Sequence, residues 1–396
     1  MSTAAVSALA DQVAEEFLDR HGTPPEGVWH APGRVNLMGE HTDYNEGWVL
    51  PFALDRGVVV AAARRGDGML DLWSRQAPDA PVSLPLATLA AGAVAGWAAY
   101  PAGVAWSMRE ASYPVGGASL VIDSDLPRGA GLSSSAALEC ATALALAGLY
   151  EIGAPRTELA RLARRAENEM VGVPSGIMDQ SASLLCEASH ALLLDCRSGD
   201  SLLVPFDPAG AGLALVVVDT GARHELTDGR YALRRQECEL AARALGVPSL
   251  RDVTDAAQVS RIGNPVLARR ARHVITDNQR VRTSAALLEA GDLAGLGPVL
   301  HASHVSLRDD FEISWPQADV AVEAAERAGA LGARMVGGGF GGSVIALVPD
   351  GSTAIPEVLA AEYARRGWPP PHILAAPPSA GASRLRGGPA SGRLRS

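Results

Sequence analysis

Between Ala31 and Leu50 the chain reads APGRVNLMGEHTDYNEGWVL, which gathers Arg34, Glu40, His41 and Asp43 in a glycine-punctuated segment bounded by apolar residues. Glu40 and Asp43 offer acceptors for hydroxyl protons, His41 a donor or an acceptor, and Arg34 a fixed cation. The intervening glycines let the backbone turn tightly and approach a ligand. This is the equipment of a loop that reads a sugar. The same residue types also suit a surface ion-pair cluster with His41 as a structural hydrogen bonder. Zinc is not indicated, because no further His or carboxylate accompanies them at metal-ligand spacing.

A second segment points to phosphate. The apolar run Ala118 to Asp123 reads as a strand, and LPRGAGLSSSAAL follows it as a glycine loop entering a helix. Gly129 and Gly131 permit close backbone approach, and the first helical turn presents unpaired N–H groups where the helix dipole favours an anion. Ser133, Ser134 and Ser135 have hydroxyls to cap the helix or to meet phosphate or Mg²⁺. The GK[ST] of a Walker A loop is missing, and a plain Ser-capped helix would have the same local pattern. A third segment, AENEMVGVPSGIMDQ, ends a helix in a Gly/Pro turn and presents Asp179 shortly after Gly176. A carboxylate so fixed suits a general base in phosphoryl transfer, and it suits a helix N-cap equally. A fourth, Gly332 to Val344, joins a helix to a strand through the five glycines between 337 and 342, more than a turn requires.

These segments need a frame to hold them. The pattern predicts helices over 6–18, 133–150, 156–170, 231–245, 265–288 and 318–328. Strands are expected at 28–29, 48–54, 57–63, 69–73, 118–123, 192–195, 214–219 and 344–348. The fold class is α+β. At 396 residues with 47% hydrophobic content the chain is large enough for two cores. The expected division is 1–205 and 206–385, followed by a disordered tail over 386–396. A net charge of −10 argues against nucleic acid or an anionic membrane as the main partner. All 34 basic side chains are Arg, so any phosphate must be held by backbone amides, Arg and a metal ion rather than by Lys. The four cysteines have no CxxC spacing and read as thiols of a reducing compartment. Lacking a signal-peptide pattern or an apolar run of about 18 residues, the chain is expected to be soluble and cytoplasmic.

Taken together, the segments resemble a known family. The Ala31–Leu50 stretch is similar to the galactokinase signature of the GHMP small-molecule kinase family. PRGAGLSSSAALE resembles that family's ATP-binding motif, and the Gly337–Gly342 run its third motif. The likeness extends from about Val28 to about Leu385. It implies two α+β domains flanking a cleft, and ATP-dependent phosphorylation of the anomeric hydroxyl of D-galactose, the first committed step of the Leloir pathway. By the same resemblance, Asp179 and Arg34 are catalytic, and Glu40, His41, Asp43, Gly176 and Tyr231 read the sugar. Residues Gly129, Ala130, Gly131, Leu132, Ser133, Ser134, Ser135 and Ala136 bind ATP, with Trp97 and Tyr100 at the adenine, and Ser134 and Glu167 hold Mg²⁺. The expected state is a monomer or weak homodimer. A kinase of N-acetylgalactosamine or another sugar, or a non-catalytic galactose sensor, stands as the alternative. Ser175 and Ser343 occupy places where the family often has Cys, and Asn168 one where it often has His. None of these departures is expected to touch a residue assigned to chemistry. His301 and His304 read as structural, with no carboxylate partner evident.

Overall fold

The computed structural model describes residues 3–127, 129–222 and 229–387. Its elements, in chain order, begin with α1 (Thr3–His21), β1 (Gly27–Asn36), β2 (Trp48–Val49), β3 (Pro51–Arg65), β4 (Met69–Ser74), β5 (Val82–Pro85), α2 (Ala99–Glu110) and β6 (Gly117–Ser124). They continue with α3 (Ser134–Leu149), α4 (Arg156–Arg165), α5 (Met178–Leu185), β7 (His190–Asp195), β8 (Ser201–Pro205), β9 (Leu213–Asp219), α6 (Arg230–Leu245) and α7 (Pro265–Glu289). The last are α8 (Leu296–Asp309), α9 (Pro316–Arg327), β10 (Gly332–Val336), β11 (Ser343–Pro349), α10 (Ala354–Arg365), β12 (His372–Ala375) and β13 (Ser383–Arg386).

The largest sheet runs β13-β1-β3-β6-β4-β5 and is antiparallel except where β4 pairs with β6. Its strands show the two-residue period of a sheet covered on both faces. Val59 and Ala61 of β3 pack with Ala10, Val13 and Phe17 of α1, while Val58, Val60 and Ala62 face the core that includes α2 and α3. A four-stranded antiparallel sheet, β10-β11-β9-β12, and a three-stranded one, β2-β7-β8, complete the molecule. Among the described residues no helix is long and apolar enough to cross a membrane.

Several elements differ from the sequence reading. Strand β1 extends to Asn36, so Arg34 sits on a strand, where the register with β3 shifts between Pro32 and Arg34. Such an irregularity bends the strand and re-aims its side chains. The glycine run joins β10 to β11 rather than a helix to a strand. Strand β10 was not expected, because Gly332 and Arg334 interrupt its apolar residues and leave no continuous run. Helices α2, α5, α8 and α10 were not expected. Arg386, placed in the tail, belongs to β13 and lies on the edge of the largest sheet; the remainder of that tail from 388 lies outside the described residues.

Helix α8 and β10 meet backbone to backbone. A methyl group at Gly297 would stand 2.2 Å from the Leu331 carbonyl oxygen, and one at Gly332 2.1 Å from that of Gly297. Gly297→Ala should therefore cost about 1–3 kcal/mol by overpacking. Urea unfolding checks this: the midpoint falls while the slope stays parental.

Candidate active site

Arg34 projects from the irregular stretch of β1 and is 5% exposed. Its Nε and Nη2 donate to Oδ1 and Oδ2 of Asp179 at 2.8 and 2.9 Å, and its Nη1 donates to the Gly131 carbonyl at 2.8 Å. One planar fork thus joins the strand, the helix that carries Asp179 and the glycine loop. Burial by itself would lower the guanidinium pKa, but the Asp179 and Glu40 carboxylates outweigh it and raise the pKa. Asp179 lies in the first turn of α5, where the helix dipole favours an anion. The Ser133 hydroxyl also donates to its Oδ2. Ser133 is one of three serines that the sequence offers either to cap α3 or to meet phosphate. It stands at the cap position with φ 55° and makes no side-chain cap bond, because its hydroxyl is turned to Asp179.

The sugar-loop residues gather on the other side of Arg34. Glu40 Oε1 accepts from the Gly337 N–H and pairs with Arg334 Nη2, both at 2.8 Å. His41 adopts a left-handed φ of 60°, and its Nδ1 lies 2.7 Å from the Tyr44 hydroxyl and its Nε2 3.2 Å from the Gly338 carbonyl. Burial, and then His273, push its pKa down to about 3. The neutral ring that results donates from Nε2 and accepts at Nδ1. Its face packs beside Tyr231, with ring centres 5.0 Å apart. Asp43 presses against Gly176, where a Cβ would lie 1.9 Å from Asp43 Oδ2, so only glycine fits there. Burial, and then the charge of Asp179, raise the Asp43 pKa from the ordinary 3.8 to about 6.

These groups line one cavity of about 470 Å³, together with Gly129, Gly131, Leu132, the three serines, Glu167 and Tyr231. A second cavity of about 330 Å³ shares Tyr100, Ser134 and Ser135 with the first and contains Trp97. The serines at the start of α3 therefore stand between the two spaces. Ala130 and Ala136 are fully buried and line neither. Ala130 serves the loop through its carbonyl, which accepts from the Ser343 hydroxyl at 2.7 Å.

Glu167 sits in a π-helical turn, Ala166–Val171, a local widening frequent at functional sites. It accepts from Ser135 at 3.0 Å, from Ser175 at 2.5 Å and from Gln180 at 3.0 Å. Burial raises its pKa, Ser175 opposes the rise, and the charge of Asp179 adds to it. The same Gln180 amide donates to Glu139 at 2.9 Å; Glu139 is fully buried, and that burial drives its pKa well up.

Comparison with known proteins now decides the family. The chain matches three family models: the galactokinase galactose-binding signature over 15–64, the GHMP kinase N-terminal domain over 99–187 and the GHMP kinase C-terminal domain over 284–364. It is 51% identical to the galactokinase of Streptomyces coelicolor over 383 residues, 96% of this chain and 99% of the relative. The chain belongs to the galactokinases of the GHMP kinase family. It is 46% identical to the galactokinase of Mycobacterium tuberculosis over 90% of this chain and 98% of that one. The solved structure of Lactococcus lactis galactokinase complexed with galactose superposes with a TM-score of 0.89 at 32% identity, over 96% of this chain and 100% of that one. The fold of a galactokinase, with its N- and C-terminal GHMP segments, is thus the fold seen here.

Four side chains at the site, Glu139, Ser175, Gln180 and Arg334, are given no role by the sequence. Ser175 had been set aside as a harmless departure, yet its hydroxyl donates to Glu167, and Asn168 in turn accepts from the Ser175 N–H at 3.0 Å. Glu139 could have been found, since it lies four residues after Ser135 and shares its helix face. Gln180 follows Asp179 directly, but the turn that aims it is not visible in the residue types. Arg334 carried no local signal. His301 and His304 do have carboxylate partners, Glu326 and Asp319, and line neither cavity.

The raised pKa of Asp43 has a consequence for stability. The folded chain binds a proton there more tightly than the unfolded chain, so stability falls as pH rises from 3.8 to about 6 and stays reduced above that window. Asp43→Asn should raise the melting temperature at pH 8, by at most about 3 kcal/mol of stability, and leave it parental at pH 3. Melting curves at the two pH values check the sign.

Proposed function

We propose that this galactokinase-family chain transfers the γ-phosphoryl group of ATP to the anomeric hydroxyl of D-galactose, releasing ADP and galactose 1-phosphate. The observation that carries the reading is the placement of Asp179, held by Arg34 and Ser133 where the galactose-signature residues and the glycine loop line one cavity. In the transfer the sugar O1 forms a bond to the γ-phosphorus as the bond from that phosphorus to the leaving ADP oxygen breaks. Asp179 accepts or orients the O1 proton. Arg34 neutralises charge on the phosphoryl oxygens, the larger contribution where the transition state is loose. Glu40, His41, Asp43, Gly176 and Tyr231 shape the sugar subsite, His41 through the ring it holds against Tyr231. The loop from Gly129 to Ala136 carries the phosphates, and Trp97 and Tyr100 flank the adenine.

Mg²⁺ fits this site. Glu167 is 6% exposed, and its three hydrogen-bond donors, Ser135, Ser175 and Gln180, are all neutral. Together with the nearby hydroxyls it forms the hard oxygen set that Mg²⁺ prefers. Glu167 and Ser134 would hold the ion. Among the described residues no cluster of three His, Cys, Asp or Glu side chains suits a metal, which agrees with an ion that draws much of its shell from water and phosphate. When bound, it neutralises phosphate charge. We further propose the division at 1–205 and 206–385, a cytoplasmic location consistent with four free thiols, and a monomer or weak homodimer.

An ADP-release assay over a sugar panel tests the reading: galactose is turned over, and glucose, differing at C4, falls short by a factor on the order of 10⁴. Equal kcat/KM for the two sugars would overturn it. Asp179→Asn keeps the size of the side chain and removes its charge and basicity. Turnover should fall about 10²- to 10⁴-fold while calorimetry still detects galactose. Retention of more than about a tenth of kcat, below that range, would remove Asp179 from the base role.

A further inference from the structure

Arg334 is 0% exposed, and Glu40, its partner across the molecule, is 2% exposed. The arginine comes from β10 beside the second half of the chain's core, and the glutamate from the sugar loop near the N-terminus. Two of the three guanidinium nitrogens donate to backbone carbonyls, and the third, Nη2, faces Glu40 as an ion pair without hydrogen-bond geometry. Nε donates to the Met335 carbonyl at 3.0 Å, Nη1 to the Leu37 carbonyl at 2.9 Å and the Asn36 carbonyl at 3.4 Å, and Nη2 pairs with Glu40 Oε1 at 2.8 Å. The Gly337 N–H donates to the same Oε1 at 2.8 Å. The cation and the N–H that hold Oε1 thus come from β10 and the glycine turn that follows it, leaving Oε2 as the oxygen available to a ligand hydroxyl in the cavity that Glu40 lines.

We propose that Arg334 is a positioning residue for sugar recognition: it fixes the rotation of the Glu40 carboxylate and ties the sugar loop to the β10–β11 glycine turn, so that one oxygen is presented to galactose. The inference rests on the galactose-kinase reading above. A buried guanidinium of this kind is specific to its geometry. Lys would retain the charge but supplies a single point donor in place of the planar fork, so it can meet Glu40 or the Leu37 carbonyl and cannot reproduce the set. Because Arg334 does not line the cavity, its effect on the substrate passes through Glu40. Its contacts with the carbonyls of residues 36 and 37, at the end of β1, keep the start of the sugar segment in step with β10.

The test compares the parent, Arg334→Lys, Glu40→Gln and the double variant in full-length enzyme, measuring KM for galactose, KM for ATP and kcat. Expected are a galactose KM at least tenfold higher in Arg334→Lys, an ATP KM within about twofold of the parent, and a double variant no worse than Glu40→Gln alone, since the two residues act as one unit. Circular dichroism and melting confirm that each variant is folded. An unchanged galactose KM, a parallel rise of both KM values, or losses that multiply in the double variant would overturn the proposal. If Arg334→Lys does not fold, Arg334→Gln carries the comparison, and failure of both to fold assigns Arg334 to the core and overturns its positioning role. A parent that turns over no galactose would defeat the underlying reading instead, which the parental arm of the assay reports separately.

Discussion

A buried guanidinium bound at once to a carboxylate and a carbonyl sets the arrangement of this molecule. Arg34 meets Asp179 through two nitrogens and Gly131 through a third. Removing an ionised group from water is tolerable only when it is paired and its donors are used. The strand that carries Arg34, the helix that carries Asp179 and the glycine loop are therefore held in one relative placement, or the charge is stranded. The Arg34 N–H adds a bond to the Leu132 carbonyl, which fastens the same loop to β1. Everything that would contact a phosphate or a sugar is measured from this junction.

The second constraint is an excess of negative charge. Glu40, Asp43, Glu139, Glu167 and Asp179 lie at or just behind the cavity, and burial, together with the charges of Asp179 and Glu40, raises the pKa of Asp43. An acceptor-rich surface suits a polyol, whose hydroxyls are donors. It suits a nucleotide triphosphate only with cationic help, which comes from Arg34, from the amide-rich glycine loop and from the divalent ion for which Glu167 is fitted. The absence of Lys from the chain leaves every such role to Arg. The two buried pairs at the site both use its planar fork, as a two-point grip on Asp179 and as a four-way tie at Arg334.

Much of the site was legible because the chemistry is written in short segments. Gly129 to Ser135, Glu40 to Asp43 and Gly176 to Asp179 each combine small residues with a few polar ones in a spacing that suits a ligand, although each alone also suits a capped helix or an ion-pair cluster. Most helices declared themselves by period, and the region around Asp179 by its Gly/Pro break. The helix α2 did not, because it is buried nearly all round and so lacks a polar stripe. Strand β10 failed because a strand covered on both faces is marked by a continuous apolar run, which Gly332 and Arg334 break.

The residue sequence by itself determined the polar equipment, its order along the chain and the class of chemistry, because side-chain types and backbone freedom are local properties. Tertiary structure alone decided which of those groups meet. That the Ser133 hydroxyl turns to Asp179 instead of capping its helix, that Ser135 rather than Ser134 contacts Glu167, and that Arg334 pairs with Glu40 are matters of angle and distance between elements far apart in the chain. No residue type encodes such pairings. They follow from how the sheets pack and from the cost of leaving a buried charge unpaired, which only the assembled fold can assess.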